Sequence, residues 1–291
     1  MTVAPAATWE AMCSMVVRDL TESFIEHAVE HKDLTSYEAR FPELFEHYFA
    51  FYGPRRTYPE WLTAEAVRAS RDLITAELPT INNRFASAGL DVSQLEVVLL
   101  VGQNFSNGHA FLHRGRFIVW LPVEEYRSSL SVRVFVPHEI AHALHYQRSP
   151  DFWFDNVESR NHVGRQLVAE GVATLVSMEI AGIDVITALW ADYVPSEWAR
   201  EWIDIRMRRQ CELAALVLNR FDESPDDNGL FVFTGKDDGS VFRNRTGYFL
   251  GMEVVKTVGG ELGLALPELL NLTRADWESL AKDVLQRIKG T

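Results

Sequence analysis

Between residues 7 and 51 the apolar positions recur at helical spacing. Met12, Met15, Val16, Leu20 and Phe24 carry the pattern through 7–30, and a second stretch covers 35–51. The segment "YGPRRTYP" then interrupts it. A long helix is predicted over 63–88, with Thr63 as its N-cap and Glu65 in its first turn. After that the period changes. "LEVVLLVG" (95–102), "HAFLH" (109–113) and "RFIVWLP" (116–122) are short, rich in β-branched or aromatic residues, and separated by "SNG" and "RG". They predict a small sheet of about three strands. Helical spacing returns over 131–147, 164–181, 195–221, 245–258 and 273–288. The loops "FDESPDDNG" and "GKDDGS" flank one further strand-like piece, "LFVF".

Helices, then a small sheet, then helices predict a mostly helical α+β fold rather than alternating βαβ units. The expected organisation is an N-terminal helical region (1–92), a sheet with the helix that follows it (93–150), and a C-terminal helical lobe (151–291). Trp190, Trp198 and Trp202 are expected to pack between helices of that lobe. Charge and cysteine usage narrow the function classes. The formal net charge of −13 repels nucleic acid and anionic membrane. Cys13 and Cys211 form no C-x-x-C pair, which argues against a disulfide framework or a thiolate metal site. No run of about 18 apolar residues is present, and the first twenty residues lack the basic start of a signal peptide. The expectation is a cytoplasmic protein with neither a nucleic-acid nor a membrane partner.

The segment "VPHEIAHALHYQ" (136–147) holds three of the nine histidines. His138, Glu139 and His142 form H-E-x-x-H. On a helix, positions i and i+4 share one face, so both imidazoles reach a single zinc ion. Glu139 is turned about 100° around the axis from His138. It is poorly placed as a ligand but suited to take a proton from a zinc-activated water. A catalytic zinc needs a third protein ligand and an open fourth position. His145 lies about 10.5 Å along the axis from His138, too far to share the ion. Glu170 is the better candidate, because Leu167, Val168, Val172, Leu175 and Val176 surround it and an unpaired carboxylate there would be costly. Its bland alternative is a helix-edge glutamate meeting solvent or Arg165, and His162 is the alternative ligand.

"HEIAHAL" and "LVAEGVAT", an H-E-x-x-H helix followed by E-G-x-A, resemble the gluzincin zinc peptidases. With "TGYFLGMEVV" they resemble more narrowly the predicted zinc-dependent protease family containing a domain of unknown function, DUF2268, over about residues 95–290. The resemblance implies His138, His142 and Glu170 as zinc ligands and Glu139 as general base. It also implies a zincin-like fold, in which a small sheet packs on the active-site helix and a helical lobe closes the cleft. Two departures stand out. Pro137 precedes His138, so the helix is expected to start or kink there. Thr174 stands where many gluzincins carry an acidic residue that supports a ligand.

The expected function is therefore a zinc metallopeptidase acting on a peptide or protein substrate. The alternative is a catalytically inactive zinc protein that uses its cleft for recognition. The stretch 105–120 offers a possible sheet edge for an extended peptide. Tyr248 and Gly251 share a helix face. Gly251 would allow close helix approach, and Tyr248 is either an oxyanion donor or a buried tyrosine with a satisfied hydroxyl. Arg243 or Arg245 is a candidate for a substrate carboxylate, or else solvated or ion-paired.

Overall fold

Strands β2 (Glu96–Leu100) and β4 (Arg116–Pro122) form where the short β-branched and aromatic runs place them. The computed structural model describes residues 15–52, 61–102, 106–226, 229–233, 240 and 242–290. Every residue of β2 is buried, as suits a Val/Leu run paired on both edges. β3 (His109–His113) returns against β4 as an antiparallel hairpin. The two-residue turn is Arg114–Gly115, both at positive φ (48° and 79°). That turn type follows the right-handed twist of the strands, and glycine adopts it without a Cβ clash.

A fourth strand corrects the helix expected over 7–30. Residues 7–14 lie outside the described residues. β1 (Val16–Asp19) is extended and pairs in parallel with β2, giving the sheet order β1-β2-β4-β3. Val16 and Val17 are 60% and 42% exposed, so β1 is an edge strand held by backbone pairing and not by a buried face. It ends where the Asp19 carboxylate accepts the Thr21 N–H at 2.8 Å, an Asx turn that starts the helix Thr21–Phe24. The expected stretch 35–51 is two helices, Leu34–Glu38 and Pro42–Tyr52. The helix predicted over 63–88 is Ala64–Ser87, and the Thr63 side chain caps it by accepting the Ala66 N–H at 3.2 Å.

The chain divides into two compact units, and the division after Val132 falls inside the helix Ser129–Arg148. Pro137 does not start this helix, which begins eight residues earlier and runs through the proline. The unit from Arg133 onward is helical among its described residues. The helix expected over 195–221 is two, Ser196–Arg208 and Gln210–Arg220, broken at Arg209 (φ −115°, ψ 23°). "LFVF" is not a strand. Leu230 and Phe231 are buried in a turn where the Leu230 carbonyl accepts the Gly247 N–H at 2.9 Å, so their apolar character serves the start of the next helix. Trp190 packs edge-on against Trp198 and Trp202, at 5.0 and 5.2 Å between ring centroids, as expected of core residues.

The helix Val163–Ala181 is the centre of this unit and is buried on nearly every face, which explains its continuous apolar sequence. The helix Thr246–Leu262 crosses it where Gly171 meets Gly251. A Cβ on Gly251 would lie 2.1 Å from the Leu167 carbonyl oxygen, and one on Gly171 would lie 2.3 Å from the Gly251 carbonyl carbon. Only glycine at both positions permits that approach. No helix among the described residues is long and apolar enough to cross a membrane.

Candidate metal centre

His138 and His142 lie one turn apart on the helix Ser129–Arg148, as their spacing requires. Glu170 comes from the neighbouring helix Val163–Ala181. The two helices are tied by the Ser177 hydroxyl, which donates to the Val134 carbonyl at 2.5 Å. His162 caps the start of the second helix, its Nδ1 accepting the Arg165 N–H at 3.2 Å. It is therefore a cap and takes no part in the ligand group, which corrects the alternative ligand assignment. Arg165 does not pair with Glu170 either. It is buried, and its guanidinium donates to the carbonyls of Phe152, Ser159 and Arg160.

The three expected ligands converge. His138 Nε2 and Glu170 Oε2 are 3.2 Å apart, His142 Nε2 and Glu170 Oε2 are 3.3 Å apart, and the two Nε2 atoms are 3.2 Å apart. Two protons at most sit on the two Nε2 atoms, and a triangle bends each N–H away from its acceptors. Three good hydrogen bonds cannot fill it. A tetrahedral ion with bonds of about 2.0–2.1 Å sets its ligand atoms about 3.3 Å apart, so the triangle fits one face of such a shell. These residues are the one such metal-ligating group found among the described residues.

Both imidazoles are buried, and the Glu170 side chain is 16% exposed. Burial drives His138 down to about 4. Burial also pulls His142 down, but the charge and hydrogen bond of Glu170 outweigh it and raise the imidazole above its usual value. Burial pushes Glu170 up, yet the two histidines hold it well below the usual carboxylate range. The opposite shifts of His142 and Glu170 describe one attraction seen from both partners. Glu139 is buried beside them, and burial pushes its carboxyl up to about 7. It has no hydrogen bond or ion pair with the described residues. A cation bound nearby would favour its ionised form.

Tyr248 is half-buried, with its ring stacked near the His138 imidazole at 5.8 Å and 22°. Gly251 lies one helical turn further on, so the glycine crossing sets the helix spacing at which Tyr248 meets His138. Thr174 supports no histidine; its hydroxyl donates to the Glu170 carbonyl at 2.7 Å. His145 is fully buried away from the ligand group, tilted against Phe152 at 4.2 Å, and burial drives it down to about 3. Tyr146 is an addition to the site, stacked near His142 at 5.7 Å and 21°. Its signal was its position, four residues after His142 on the same helical face. Comparison with protein-family models, with curated proteins and with solved structures finds no match to this chain. The resemblance to the gluzincins therefore rests on the motif residues themselves.

Proposed function

We propose that this chain is a zinc-dependent hydrolase of the gluzincin type that cleaves peptide bonds. The observation that carries the reading is the triangle of His138, His142 and Glu170 with the buried Glu139 beside it. Two imidazoles and one carboxylate suit zinc, and three protein ligands leave a coordination position open, as catalytic sites do and closed structural sites do not. The mostly helical α+β fold with a small mixed sheet is compatible with a zincin-like architecture. When bound, the metal supplies Lewis acidity to the scissile carbonyl and to water. The Glu139 carboxylate accepts a proton from the attacking water. It then returns that proton to the nitrogen of the departing amine as the C–N bond breaks. The Tyr248 hydroxyl donates to the carbonyl oxygen as charge develops there. Solvent is the only co-reactant this requires. We place this chemistry in the cytoplasm, in keeping with the sequence expectation.

The test is a mixed peptide library incubated with zinc-loaded and zinc-stripped protein, read as new N-termini. New termini are expected from the loaded protein only. Their absence from both preparations contradicts the peptidase reading. In the same assay Tyr248→Phe should lower kcat with little change in KM, because the lost donor acts mainly in the transition state. A donor of this kind is worth about 2.7–4 kcal/mol, or roughly 10²–10³-fold in kcat. A variant with normal kcat and lowered melting temperature would instead mark Tyr248 as a packing residue.

A further inference from the structure

Arg245 is the N-cap of the Tyr248 helix, at φ 61°, directly after Asn244 at φ 58°. Two successive non-glycine residues in the left-handed region are uncommon, and such conformations gather at functional sites. The turn holds the guanidinium among aromatic rings. Its carbon lies 5.2 Å from the centre of Phe135, 5.6 Å from Trp190 and 5.2 Å from Tyr248. Nη1 donates to the Leu189 carbonyl. Phe135 precedes His138 by three residues on the same helix, and the Tyr248 ring also stacks near His138, so the arginine shares its neighbours with the metal group.

No carboxylate among the described residues forms an ion pair with Arg245. That is notable in a chain with 41 acidic against 28 basic residues. The side chain is only half-buried, and the donors of its fork other than the one bonded to Leu189 have no protein acceptor among the described residues. A planar guanidinium steadied by aromatic faces, with its remaining N–H groups unpaired among the described residues, matches a carboxylate in two parallel hydrogen bonds. The overall negative charge opposes an anionic ligand at long range, so recognition of one needs a local cation of this kind.

We infer that Arg245 binds a carboxylate of the substrate and gives the site a preference for peptides with a negative charge close to the cleaved bond. The inference rests on the peptidase reading above. The carboxylate has two sources, the α-carboxylate of a peptide C-terminus or the side chain of an Asp or Glu.

The test is binding of short peptide hydroxamates to zinc-loaded full-length protein by calorimetry. One matched pair compares a free C-terminal carboxylate with its amide. A second, with both C-termini amidated, compares an internal Asp with Asn. Wild-type protein should favour the acid by about tenfold or more in one pair, and that pair identifies the source. Arg245→Gln should bring that ratio close to one. Arg245→Lys, which keeps the charge and loses the fork, should reduce it several-fold, and it carries the test where the glutamine variant does not fold. Wild-type indifference in both pairs overturns the inference, and so does a preference that survives both variants. Hydroxamates that bind zinc-free protein as tightly as zinc-loaded protein overturn the metallopeptidase reading itself, and this inference with it.

Discussion

Glu139→Gln is expected to retain metal and fold while losing hydrolysis by about 10²–10⁴-fold. Glutamine matches glutamate in shape, so packing around the buried side chain is preserved. Glu139 has no hydrogen bond or ion pair with the described residues that the substitution would break. What is lost is the acceptor for the water proton. His138, His142 and Glu170 keep their positions, so metal content should match wild type. The measurement is turnover of any substrate found in the library, beside metal content and a thermal melt on the same sample. A glutamine variant with wild-type turnover removes Glu139 from the chemistry. A variant that loses metal as well would assign it a part in holding the ligands.

The second large effect is on stability. Gly251→Ala would force a methyl to within 2.1 Å of the Leu167 carbonyl oxygen, a backbone atom that can yield only if one helix moves. Overpacking of this kind costs about 1–3 kcal/mol and occasionally more. Alanine returns about 1 kcal/mol through helix propensity, and the clash outweighs this because the added methyl meets backbone atoms of Leu167 and Gly171 that cannot swing aside. The expected net result is a melting temperature lower by several degrees, at roughly 2–4 °C per kcal/mol for chains somewhat shorter than this one. Metal affinity should fall too, because the displaced helix is packed at Gly171, next to Glu170. Gly260→Ala on the same helix is the internal control. Nothing lies within 4 Å of its added Cβ, so propensity alone acts and stability should rise slightly. A Gly251→Ala variant that gains stability like Gly260→Ala would contradict the close crossing.

The metal group was legible in the sequence because its signals are local. The i, i+4 spacing of His138 and His142 is a property of one helix, and Glu170 stood out as a carboxylate in an apolar run. The Thr63 cap and the two central strands were legible for the same reason. β1 was not, because Met15, Val16, Leu20 and Phe24 satisfy a helical period. What makes Val16–Asp19 extended is pairing with Glu96–Leu99, some eighty residues away. "LFVF" misled in the opposite sense, since a short apolar run fits a strand or a buried turn equally well. The place of Arg245 was beyond reach for another reason. The sequence offered it beside Arg243 as a carboxylate ligand, but its aromatic surroundings depend on a left-handed turn at Asn244 and Arg245; asparagine favours that region, whereas nothing about an arginine announces it.

Elemental analysis of the purified full-length chain, after loading with zinc and removal of excess metal, tests the central claim most directly. The account predicts about one zinc per chain in wild type and in Glu139→Gln, and a large loss in His138→Ala and in Glu170→Ala, with all four proteins folded. Wild-type protein without bound metal would contradict it, and so would Glu170→Ala protein that holds zinc as wild type does.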